Sequence, residues 1–167
     1  MTAREAMLAA IRRAGVPAAP AAVVPTAAAA RPIDDLRREF LASLAQVGAT
    51  AELCRRDRTA AVVAERAAAG GAMPGVIAAR FGVAENGAVY VDAADLDERS
   101  AVVRSEHLVV TLSSSGIVPT MHEAMRRIPR DSRCGWFLSG PSKTADIEQA
   151  LVVGAQGART MHLLLLL

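Results

Sequence analysis

The chain has 167 residues, 52% of them hydrophobic and 3% aromatic, with a formal net charge of +2. That length and apolar content suit a single domain with an aliphatic core. The charge excess is small, acids and bases are interspersed, and no aromatic residues stand among the arginine pairs, so a nucleic-acid surface is not expected. Two cysteines without a CxxC make no disulfide framework and no cysteine-held zinc or iron–sulfur site within the chain. A reducing, cytoplasmic setting is the expectation.

Thr2 and Glu5 have capping-box spacing, and Met7, Leu8 and Ile11 then fall on one helix face. Glu5, Arg12 and Arg13 interrupt any apolar core that a signal peptide would need there. Residues 16–32 read as a Pro/Ala loop, and Pro17, Pro20 and Pro25 break the neighbouring apolar stretch as a membrane span. The next helix runs from Pro32 to Val47, with Ile33, Leu36, Phe40, Leu44 and Val47 as its stripe. Together 1–48 form an N-terminal helical part, and 49–167 an α/β core within one domain.

Within the core, Ala49–Cys54 is a strand candidate, and Asp57 to about Ala69 a helix. Residues 76–92 split into two strand-like pieces around Ala84–Ala88, where Asn86-Gly87 is a hairpin-turn dipeptide. His107–Leu112 reads as a buried strand, Ser113–Gly116 as a loop, and Ile117–Ile128 as a helix with Val118, Met121, Met125 and Ile128 inward. After the strand Trp136–Leu138, the spacing of Ile147, Ala150, Leu151 and Gly154 predicts a helix opening near Thr144. Five terminal leucines suit a strand buried on both faces of a parallel sheet. The class is therefore α/β: three layers, α/β/α, around a mainly parallel sheet.

In open sheets ligands bind beyond the carboxyl ends of strands, which selects the loops 84–88, 113–116 and 139–146 as walls of one cleft. Gly140, Ser142, Lys143 and Thr144 offer hydroxyls, an ammonium and backbone N–H groups to a small anion, a carboxylate or phosphate, at the expected helix start. The competing reading is simple capping of that helix by Thr144 or Asp146, the latter at capping-box spacing from Gln149. Pro141 stands where a P-loop needs Lys, and Thr144 where a nucleophile elbow needs its second Gly. Asp146 is either a dipole-compensating acid or a carboxylate turned into the site. Glu85 before Asn86-Gly87 is either an exposed turn acid or a nucleophile or base in the cleft, with Gly87, Ser113 and Ser114 beside the ligand. His107 opens its strand and can line a cleft, whereas His162 reads as a packed residue. His122-Glu123 lacks the second His of a zinc-protease motif, since Arg126 fills that position, and no metal site emerges from spacing.

The segment SGPSKTADIEQALVVGAQGARTMHLLLLL resembles the C-terminal hallmark of the lactate-utilisation protein C family, the LUD domain (LutC/YkgG). The likeness lies in Gly140, Pro141, Ser142, Thr144, Ala145, Asp146, Ile147 and Glu148. FGVAENGAVYV is similar to the family's A-E-T-G-T segment through Ala84, Glu85 and Gly87. EHLVVTLSSSGIVPTMHEAM resembles its P-x-x-H-I segment and the I-V helix that follows, through His107, Ile117 and Val118. The resemblance covers roughly residues 75–167. Asn86 and Ala88 replace family threonines, Gln156 its usual His, and Ala158 its usual Pro. The resemblance implies a fold similar to the NagB/RpiA/CoA-transferase group and a place in oxidation of L-lactate to pyruvate. It also implies iron–sulfur partner proteins that carry the clusters, with no cofactor in this chain. Within the related CoA transferases a Glu before Asn-Gly is a nucleophile, which AENG resembles. Two further roles remain open: a stand-alone acyl/CoA-transferase-like or folate-ligase-like enzyme, and a binding module without chemistry.

Overall fold

The computed structural model describes residues 2–15, 31–70, 74–145 and 151–167. Most of the Pro/Ala loop lies outside them. In chain order the elements are α1 (Ala3–Arg13), α2 (Ile33–Gln46), β1 (Thr50–Cys54), α3 (Thr59–Gly70), β2 (Gly75–Ala79), β3 (Phe81–Val83), β4 (Val89–Asp92), α4 (Ala101–Arg104), β5 (His107–Ser113), β6 (Ile117–Val118), α5 (Met121–Arg127), β7 (Gly135–Leu138), β8 (Lys143–Ala145), β9 (Leu151–Val153) and β10 (Thr160–Leu166).

The leucine run becomes a central strand. β10 sits between β1 and β5 in a four-stranded parallel sheet of order β1-β10-β5-β2. Alternation sends Leu163 and Leu165 into the main core with Leu36, Phe40 and Leu44 of α2. Leu164 and Leu166 point the other way, into a cluster flanked by Val62 and Val63 of α3. Helices thus cover both faces of the central sheet, and each fully buried leucine contributes about 2 kcal/mol. The chain has the α/β fold, with a mainly parallel central sheet, that its sequence implies.

A second four-stranded sheet, β6-β3-β4-β7, packs Val89 and Val91 against the same core. Its other face carries Phe81, Tyr90 and Phe137, with Phe81 and Tyr90 stacked at 4.9 Å, and α5 covers it through Ala124. α1 closes its capping box, with the Thr2 N–H donating to Glu5 Oε2 at 2.7 Å, yet buries none of its residues. Among the described residues no helix is long and apolar enough to cross a membrane.

Two expected helices are corrected. Ile117 and Val118 form β6, parallel to β3, and the helix begins only at Met121 behind the Thr120 cap. Pro119 explains this, because a residue before proline is pushed out of the helical region. Met125 is accordingly 58% exposed instead of inward. The helix expected to open at Thr144 is replaced at both described ends by strands: β8 pairs antiparallel with β9, Thr144 opposite Val152. The backbone of Ser142 drives this pairing, accepting from Gly154 N at 2.9 Å and donating to Ala158 O at 2.8 Å. Leu151, expected to face a core, is 65% exposed. Asp146, Ile147, Glu148 and Ala150 lie outside the described residues.

Candidate functional site

The C-terminal end of α2 organises the most distinctive part of the molecule. Gly87 has φ +66°, and a Cβ there would lie 2.6 Å from the backbone N of Leu44. Gly140 has φ +80°, and its Cβ would lie 2.6 Å from the carbonyl oxygen of Val47. Only glycine meets both demands, a left-handed backbone and contact with a helix end. Lys143 donates its ammonium to the Val47 carbonyl at 2.7 Å, satisfying an orphan acceptor at the negative end of the helix. Ser139 Oγ donates to the Asn86 carbonyl at 3.0 Å, so the 84–88 turn and the 139–143 segment are tied together. Ser142 Oγ accepts from the backbone N–H of Gln156 at 3.4 Å.

These bonds set Gly140, Ser142, Lys143 and Thr144 along one cavity of about 350 Å³. Trp136, Val103 and Leu108 supply apolar wall, and Gln156 an amide. Four of the expected ligand-binding residues therefore converge. They do so without a helix start, since Thr144 is a strand residue, so any anion here is held by side chains and loop N–H groups instead of a helix dipole.

The other expected site residues lie elsewhere. Glu85 is exposed, its carboxylate has no hydrogen-bond or ion-pair partner among the described residues, and it is not part of the cavity wall. Gly87 is buried under α2 and shapes the turn. Ser114 is buried and accepts from Arg37 Nη2 at 3.0 Å, while Ser113 and Ser115 share a 3.0 Å hydroxyl contact. Gly116 abuts the first residue of β3, and Glu85 lies beyond its last, about 13 Å further at the rise of a strand. His107 stands at the opposite end of β5 from Ser113, about 20 Å away. Of the three loops read as walls of one cleft, 84–88 and 139–143 are joined through Ser139 and Asn86, whereas Ser113 and Ser114 are not part of the wall of the 139–144 cavity. Asp146 lies outside the described residues.

His107 lines a different cavity, of about 400 Å³, over the amino ends of the central strands. Its Nδ1 bonds Thr160 Oγ1 at 2.8 Å. Next to that pair, Thr50 Oγ1 bonds His162 Nδ1 at 2.7 Å, and His162 Nε2 bonds Glu52 Oε1 at 3.1 Å. Burial pushes the His162 imidazole below its usual range, favouring the neutral ring. A sequence signal was present: polar residues two apart on an otherwise leucine-rich strand, Thr160 and His162, must share a face. Among the described residues no group of His, Cys, Asp and Glu is arranged to hold a metal ion.

The LUD domain family matches residues 33–166 of the chain. Over 90 residues it is 32% identical to lactate utilization protein C of Halalkalibacterium halodurans and 34% identical to lactate utilization protein C 1 of Bacillus mycoides. It is also 32% identical over 90 residues to the protein YkgG of Escherichia coli. Each match takes in about half of this chain, 49–50%, and 38–39% of the relative. The fold is similar to that of a DUF162 family protein from Deinococcus radiodurans seen by crystallography, with a TM-score of 0.62 at 11% identity, covering 82% of this chain and 99% of that one. With four fifths of the sequence inside the family's bounds and the fold in agreement, the chain belongs to the LUD domain family.

Proposed function

We propose that this chain serves lactate utilisation by holding a small carboxylate, lactate or pyruvate, in the cavity beside Gly140–Thr144. The convergence of Ser142, Lys143, Thr144 and Gln156 on one cavity of about 350 Å³ carries this reading, and the names of the relatives supply the process. Lys143 gives one positive charge, already oriented by its bond to Val47. The hydroxyls and the Gln156 amide give directional donors, and Trp136 with Val103 gives apolar wall for a methyl group. Electrons from lactate oxidation pass, in this reading, to iron–sulfur partner proteins, because two cysteines fall short of the four thiolates a cluster takes.

The reading is tested by calorimetric titration with L-lactate and pyruvate, alongside growth of a deletion strain on L-lactate. Binding is expected in the purified protein. Gln156→Ala and Ser142→Ala are expected to weaken it about tenfold each, the usual cost of a hydrogen bond to a charged group. Glu85→Gln is expected to leave binding unchanged. Growth on L-lactate unaltered by deletion of the gene would overturn the role.

A further inference from the structure

The cavity over the amino ends of β1, β10 and β5 is built from residues that a sheet interior does not ordinarily hold. The register sets Thr50 beside His162 and Thr160 beside His107. The side chains alternate, so all four lie on the α3 face of the sheet, where Leu164, Leu166 and Val109 form an apolar cluster beyond them. Burying His162 there carries a desolvation cost that an aliphatic residue would not. Its two ring nitrogens are satisfied by Thr50 and Glu52, so the cost is met by a complete network.

That network leaves two groups unused. His107 spends Nδ1 on Thr160, and its Nε2 has no partner among the described residues. Arg66 reaches the same cavity from α3 and meets Glu52 only at 3.8 Å, which leaves its guanidinium donors open. The apolar side chains on this face are Pro74 and Val109, whereas Leu108 and Met161 turn theirs into the main core. The other arginine at the cavity, Arg159, is neutralised by Glu106 at 3.0 Å.

We infer that this cavity is a second ligand site, separate from the one beside Gly140–Thr144, and that it takes a short-chain monocarboxylate with an apolar body. Arg66 and His107 Nε2 hold the carboxylate, and Pro74 and Val109 cover the hydrocarbon. Charge decides against phosphate. Glu52 offsets Arg66 and Glu106 pairs Arg159, so the cavity carries little net positive charge and suits a single negative charge better than two. The volume of about 400 Å³ accommodates a chain of several carbons.

Butyrate and inorganic phosphate are the probes, followed by backbone NMR shifts and calorimetry on the full chain. Butyrate is expected to perturb residues 107–109 and 160–162, and phosphate at the same concentration is not. Arg66→Gln and His107→Gln each remove an exposed or half-exposed side chain from the rim, and both are expected to weaken butyrate binding about tenfold. Ser142→Ala is expected to leave it unchanged, which separates this site from the lactate reading. Butyrate shifts confined to residues 139–157, equal binding of phosphate, or full binding by the folded Arg66→Gln variant would each overturn the assignment.

Discussion

Gly87 and Gly140 show how single residues fix the relation between two loops and a helix. Each combines a positive φ with a backbone neighbour of α2 at 2.6 Å, so an added methyl group meets both conformational strain and an immovable atom. Gly87→Ala is expected to lower stability by about 2–4 kcal/mol in urea unfolding, well above the small gain that such a change gives at a permissive site. The turn was legible in the sequence, because Asn-Gly favours a tight hairpin and the Asn86 side chain accepts from Ala88 N at 3.0 Å. That it docks on α2 was not legible, since nothing local to residues 84–88 encodes the partner 40 positions earlier. The same limit explains Glu85. Its place beside a turn was readable, but whether it faced a cleft or solvent depended on packing from the residue after β6, Pro119, whose carbonyl accepts the Glu85 N–H at 3.1 Å.

The long helix from Ile33 and the strands at Ala49–Cys54, His107–Leu112 and Trp136–Leu138 were read correctly, whereas the helix starts at Ile117 and Thr144 were not. The stripe Leu36, Phe40 and Leu44 is wholly buried, whereas α1, with a stripe of the same kind, buries nothing. Periodicity reports that a face is apolar, not that it has a partner. The two helices should therefore respond differently to truncation of that face. Phe40→Ala, at 0% exposure, is expected to cost about 3–5 kcal/mol, and Ile11→Ala, at 62%, under about 0.5 kcal/mol, both measured by urea unfolding. The β8–β9 segment misled for a related reason. Ile147, Ala150, Leu151 and Gly154 span barely two turns, too few to separate a helical period from chance. The β-branched residues Thr144, Val152 and Val153 favoured strands instead, and pairing through Ser142 and Gly154 decided the matter.

At the scale of the molecule, the buried polar groups make stability depend on pH in two steps. His162, 6% exposed between Thr50, Glu52 and Arg66, has its affinity for protons lowered chiefly by burial. In the unfolded chain it titrates near 6.5. Below that pH the unfolded state takes up a proton that the folded state resists, so stability falls from pH 6.5 downward until the folded ring protonates too. Asp92, 2% exposed, lies in the opposite class of group with the same sign of effect. The Ala94 N–H, Ser132 and the nearby Arg80 hold its carboxylate ionised below the ordinary 3.8, and Arg80 does the same for Asp95. Their contribution is complete above 3.8 and is lost as the pH falls through the lowered folded values. Denaturant unfolding across the acid range is therefore expected to show a plateau above about pH 7, a first decline below 6.5 and a second below 3.8. His162→Gln should remove the first decline and leave the second, and Asp92→Asn should keep the first and reduce the second to the share of Asp95. The two groups sit in different cores, one under α3 and the other at the end of β4, so their effects should add when both are replaced.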